Sequence, residues 1–168
     1  MKKLLLFTLI LLLSALMIGC TVVSSSPQQK EEGTQQTDEA DMKAVTNVIE
    51  GFGKKLQEVS LLAPKEVLEK SMKESYSDFV TSELIAKWIS DPTNAAGRLT
   101  SSPWPDRIEI LAVEKSSGNE YKVDGEIIEV TSIEKEEGGI AAKRLITLAI
   151  KKIDNRWLIN DVKLGEYK

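Results

Sequence analysis

The chain is expected to fold as an α+β domain, with helices from its first half packed on an antiparallel sheet made by its second half. Between Met42 and Ile89 apolar residues recur at steps of three and four, the period of an amphipathic helix. From Arg107 onward, β-branched runs alternate with short Gly, Asn and Ser clusters, which is how hairpins read in sequence. Ahead of both lie an apolar run and a polar stretch without aromatic residues, so the domain itself is expected over residues 41–168.

Met1-Lys2-Lys3 gives the chain a positive start, and Leu4 to Ile18 adds 15 residues interrupted only by Thr8 and Ser14. A membrane-spanning helix needs roughly 17–25 apolar residues, so the run is short for that role and suits the core of a signal peptide. No small-x-small cleavage pattern follows. The run ends instead in Met17-Ile18-Gly19-Cys20, which is similar to the bacterial lipobox, with Met where Leu is more usual. The resemblance implies a lipoprotein signal peptide over residues 1–19, cut by signal peptidase II. It also implies a diacylglyceryl group on the sulfur of Cys20, with fatty acyl chains such as palmitate. A thiolate is the side chain nucleophilic enough at neutral pH for that transfer. Two acyl chains also meet the requirement for stable anchoring, which one chain does not. Cys20 is the only cysteine, so no disulfide competes for it. The implied location is the extracytoplasmic face of the cell membrane; the alternative is an uncleaved signal anchor with an incidental cysteine.

Residues 20–40 are expected to be a disordered tether. The stretch from Thr21 to Asp41 has three consecutive serines, four glutamines and no aromatic residue. It cannot bury enough apolar surface to offset the entropy of ordering it. As a flexible chain it would span about 25 Å.

The first helix is expected from about Met42, with Met42, Val45, Ile49, Phe52, Leu56 and Val59 on one stripe. Gly51 and Gly53 each weaken it by about 1 kcal/mol relative to Ala, so packing must hold it. A second helix opens at Pro64 and carries Val67, Leu68 and Met72. A third runs from about Thr81 through Leu84, Ile85, Trp88 and Ile89 to Asp91-Pro92. Four strands follow: "RIEILAVEK", "EYKVDGEIIEVTSIEK", "GIAAKRLITLAIKKI" and "RWLINDVKL". Turns are expected at residues 116–119, 137–139 and 154–155. Adjacent Ile127 and Ile128 break the alternation, which predicts either a β-bulge or a strand buried on both faces.

Helices first and a long curved meander afterwards, in these lengths, resembles the nuclear transport factor 2-like superfamily, the cone-shaped α+β barrel also used by polyketide cyclases and ketosteroid isomerases. A cystatin-like helix on a sheet is the structural alternative. "GRLTSSPWPDRIEI" and the upstream "YSDFVT" also resemble domains of lipoproteins from low-GC Gram-positive bacteria. The superfamily resemblance implies that function lies inside the cone, with Tyr76, Trp88, Arg98, Trp104 and Asp106 as candidate pocket residues. Trp104, stiffened by Pro103 and Pro105, either stacks on a ligand at the mouth or plugs it as core, the second being favoured. Trp157 reads as core, and Asp106-Arg107 as an exposed pair of little energetic weight.

The inventory of side chains argues against catalysis. There is no His, the side chain best suited to proton transfer near neutral pH. Its absence also removes Ser-His and Cys-His nucleophile pairs and His-bearing metal sites. No glycine-rich phosphate cradle occurs, and "EKEEGG" lacks calcium-loop spacing. What remains is the carboxylate base that the isomerase resemblance implies, with Asp78, Asp106 or Asp124 as base and Tyr76 or Tyr121 as donor. With 26 acidic against 22 basic residues the chain is acidic, and more so once Lys2 and Lys3 leave with the leader. Such a surface repels nucleic acid.

The expected function is therefore a membrane-anchored lipoprotein presenting a non-catalytic binding or scaffolding domain, without cofactor or metal, to an envelope protein or wall component. A small-ligand receptor using the barrel pocket and a carboxylate-based isomerase or cyclase are the alternatives. Cys20→Ala should abolish lipidation and leave unprocessed precursor in the membrane. Metabolic labelling with a fatty acid checks this, and label persisting on the variant would remove the lipoprotein reading.

Overall fold

In the computed structural model, residues 29–168 are described, with side chains from Asp38 onward. The signal peptide, the Met17–Cys20 motif and the tether as far as residue 28 lie outside the described residues. The chain divides into two compact units, Met1–Gln35 and Gln36–Lys168, and the account below concerns the second. Among the described residues, no helix is long and apolar enough to cross a membrane.

Helix α1 spans Gln29–Lys55 and continues into a 3₁₀ turn, Leu56–Glu58. Val45, Ile49, Phe52, Leu56 and Val59 are fully buried along it, as their period predicts, whereas Met42 is exposed. The helix starts at Gln29 rather than near Met42, so residues 29–40, expected within the tether, are helical. A packed stripe supplies the costly nucleus, and extending a nucleated helix through Gln, Glu, Ala and Lys then needs no further apolar burial. Asp41 is held at the start of the stripe by Lys152 Nζ (2.8 Å) and Trp157 Nε1 (3.1 Å), and Asp38 pairs with Lys115.

Helix α2, Lys65–Tyr76, is preceded by Pro64 as its N-cap, so it begins one residue later than expected. It buries Leu68, Met72 and Tyr76, while Val67 faces solvent. Helix α3, Ser82–Ser90, begins where the Thr81 hydroxyl accepts a hydrogen bond from Leu84 N at 3.3 Å, a standard helix start. It stops at Asp91, ahead of Pro92.

Strands β1 (Trp104–Ser117), β2 (Glu120–Val130), β3 (Ala142–Ile153) and β4 (Arg156–Tyr167) form one antiparallel sheet in the order β1-β2-β3-β4. Asp154 and Asn155, both at positive φ, make the expected tight β3–β4 hairpin. The second strand is shorter than its sequence suggested. It ends at Val130 because Thr131 and Glu134 form a reciprocal capping box that starts helix α4, Ser132–Glu137. Gly138, at φ 80°, closes that helix. The β2–β3 link is thus a helical turn rather than a hairpin.

Ile127 and Ile128 are both buried, and β2 pairs with β3 without interruption, so the strand is buried on two faces rather than bulged. The bulges fall in β1 instead, where Asp106, Leu111 and Ser116 are the extra residues against β2. Three helices ahead of a four-stranded meander match the expected α+β architecture.

The core lies between the helices and one sheet face. Phe52 of α1, Tyr76 of α2 and Trp88 of α3 meet there. The Phe52 ring stands edge-on to Tyr76 at 5.0 Å and stacks on Trp88 at 6.2 Å, and Tyr76 and Trp88 are 5.9 Å apart. The two α1 glycines are explained by close packing. A Cβ on Gly53 would stand 2.7 Å from Ile108 N, and one on Gly51 would enter the Phe79 ring. Gly53→Ala meets unyielding backbone, so despite its better helix propensity it should destabilise the domain by about 1–3 kcal/mol in urea unfolding. Gly118→Ala, which meets open space, serves as the control.

Candidate functional site

The five residues expected to line a cone do not surround a cavity. Tyr76 and Trp88 are brought together, but as core: both are buried, and the Tyr76 hydroxyl donates to Ala96 O at 2.9 Å. Burial, helped by the charge of Glu58, pushes the Tyr76 phenol well above its ordinary pKa, so it stays protonated. Arg98 lies on the connection to β1, its Nε donating to Gln57 O at 3.2 Å and its backbone bridging Ser60. Trp104 opens β1 opposite Val130, half-buried and outside the central apolar cluster that holds Trp88 and Trp157.

Asp106 is the extra residue of the first β1 bulge. Its carboxylate accepts from Arg107 Nη1 at 3.1 Å and from Lys135 of α4. Burial works to raise this carboxyl, but the two cations outweigh it and hold it below the usual range. The pair is therefore less exposed than expected, since the Asp106 side chain is only 10% accessible. The other nominal bases are occupied as well. Asp124 accepts from Thr147 Oγ1 (2.7 Å) and Lys122 Nζ (3.1 Å), which lower its pKa, and exposed Asp78 lies 3.9 Å from Arg156. Tyr121 packs edge-on against Trp157 at 5.1 Å.

Two of the surface grooves stand out, and none of the five residues lines either. The first, about 480 Å³, lies between α2, α3 and β4. Its floor is apolar (Val80, Ile85, Ala86, Ile89 and Leu158), and its rim carries Ser77, Ser82 and the Glu69–Lys73 ion pair, 2.6 Å long. Sequence periodicity placed Ile85 and Ile89 on the core stripe with Leu84 and Trp88. They sit one step round the helix from that pair, which was the available signal. The second groove, about 640 Å³, runs between Thr46 and Glu50 of α1 and residues 108–111 of β1.

Sequence reasoning also missed Glu126. It is buried on the other sheet face, where Lys143 Nζ (2.8 Å) and Lys168 Nζ (2.7 Å) each donate to one carboxylate oxygen. The Lys143 and Lys168 hydrogen bonds lower its pKa. Among the described residues, no buried side-chain polar atom lacks a partner, and no group of three ligating side chains could hold a metal.

These residues define an α+β domain whose helices meet in an aromatic cluster over the sheet, with grooves on its surface. No protein-family model matches the chain. No curated protein matches it either. Among solved structures it is similar to a nuclear transport factor 2-like protein of unknown function from Shewanella oneidensis MR-1, at 12% identity and a TM-score of 0.43, over 75% of this chain and 99% of that one. It is also similar to a protein of unknown function from Bacteroides thetaiotaomicron VPI-5482, at 17% identity and a TM-score of 0.44, over 82% of this chain and 99% of that one.

Trp88→Ala should cost about 3–5 kcal/mol of stability, as large truncations in a packed core do, and the half-buried Trp104→Ala should cost clearly less. Paired urea melts decide between them. For Glu126, a folded pKa below the unfolded one means its contribution is complete above about pH 4.3. It is lost as pH falls through the folded value. A Glu126→Gln domain should therefore show a flatter acid limb in a pH-dependent melting series.

Proposed function

We propose that the chain is a lipoprotein anchored on the extracytoplasmic face of the membrane, whose domain is a non-catalytic binding or scaffolding module for an envelope partner. The observation that carries this reading is the aromatic packing between the helices and the sheet. Where a receptor or an isomerase would keep a cavity, Phe52, Tyr76 and Trp88 occupy the space with their own rings. The carboxylates available for acid–base work are engaged with Arg107, Lys135, Thr147 and Lys122. The lipobox-like Met17-Ile18-Gly19-Cys20 supports the anchor.

The contact surface proposed for the partner is the α2–α3–β4 groove, an apolar floor with a charged rim, the usual anatomy of a binding patch. A second reading has one specific observation in its favour. The groove's volume is within the range that holds a small amphipathic molecule, so a ligand receptor would use this surface rather than a barrel interior.

Crosslinking in intact membranes followed by pull-down tests the first reading, beside a ligand melting screen for the second. Exposed Ala86 lines the groove, so Ala86→Arg should fill it without disturbing the core. Loss of a crosslinked protein on this substitution supports the module. A melting shift that disappears with it supports the receptor, and a partner kept by Ala86→Arg moves the contact elsewhere.

A further inference from the structure

Helix α1 is attached to the domain in two different ways along its length. From Val45 onward, fully buried apolar side chains hold it. Among residues 38–44, Ala44 alone packs against the apolar cluster. There the helix meets the sheet through two aspartates one turn apart. Asp41 accepts from Lys152 Nζ and Trp157 Nε1, and Asp38 pairs with Lys115. The receiving surface takes one residue from each strand, since the ladders set Lys115 beside Tyr121 and Lys152 beside Trp157. The two ammonium groups stand 6.0 and 5.2 Å from the centroids of those rings. The Lys152 hydrogen bond outweighs partial burial and, with the indole and Lys115, holds the Asp41 carboxyl below its usual range.

We propose that residues 36–44 are a strap docked on the sheet by charge, which lifts off and redocks while the stripe from Val45 to Val59 stays in place. The docking contacts are weak ones. Asp38 and Lys115 keep 44% and 36% of their side-chain surface accessible, and ion pairs so exposed contribute little. A short helical segment without apolar burial is marginal on its own, so the strap unwinds once it leaves the sheet. Segments with few buried apolar contacts open locally at a small fraction of the cost of unfolding the core. On release the strap lengthens from about 14 Å as helix to as much as about 30 Å as extended chain. For a chain anchored at Cys20, as proposed above, that length is added to the tether and extends the reach of the domain from the bilayer. This consequence rests on the anchored reading; the strap itself does not.

Hydrogen exchange of the full chain, read by mass spectrometry, tests the strap with or without lipid on Cys20. Lys115→Gln combined with Lys152→Gln removes the docking charges and leaves the sequence of the helix itself unchanged. Amides of residues 38–44 should then exchange about tenfold faster, while residues 49–56 keep their protection. Lys151→Gln, which removes the neighbouring lysine paired with Glu120, is the control and should change neither stretch. Raising salt from about 0.05 to about 0.5 M shortens the screening length. It should speed exchange over residues 38–44 in the unsubstituted chain and not in the double variant, a difference that a general loss of stability does not produce. Exchange over 38–44 as slow in the double variant as in the unsubstituted chain overturns the proposal. So does protection lost equally over 49–56, or the same salt response in both chains.

Discussion

Everything in the domain hangs on the place where the three helices meet. Phe52, Tyr76 and Trp88 come from three separate elements, and none of those elements has enough apolar surface to be stable alone. The Tyr76 hydroxyl, buried among the three rings, is satisfied by Ala96 O. That bond also ties the segment after α3 to the cluster. A hydroxyl buried there without its carbonyl would cost about 1–3 kcal/mol, so packing and hydrogen bonding are correct together or wrong together.

Aromatic rings from three helices fill the space between those helices and the sheet. The charged groups around them are paired locally: Asp106 with Arg107 and Lys135, Glu126 with Lys143 and Lys168, Asp41 with Lys152. Such pairs fix strand and helix ends in register and add little to stability where they are exposed. The apolar α2–α3–β4 groove is a feature that this local pairing does not account for.

Periodicity made the architecture legible, because the 3.6-residue stripe of α1 and the β-branched runs each have a single period. Boundaries were harder to read. Residues 29–40 have no apolar stripe, so composition alone could not show them continuing α1. Thr131 and Glu134, the capping box that ends β2, were hidden inside a run that reads as strand. The candidate site was least legible. Tyr76 and Trp88 are the side chains that either core or pocket would use, and sequence spacing does not separate the two. Glu126 went unnoticed because its partners, Lys143 and Lys168, are distant in sequence and adjacent only across the sheet.

Asp41 joins the first residues of the buried stripe to Lys152 and Trp157, which face each other across the β3–β4 ladder. Mechanically, this is a clamp. Tension applied upstream of Asp41 reaches the sheet through a carboxylate gripping two neighbouring strands together, beside the turn that joins them. The load is then divided between an ion pair and an indole N–H before it reaches the Val45 stripe, so traction on the N-terminal segment is resisted first at the rim of the domain and only afterwards in its core.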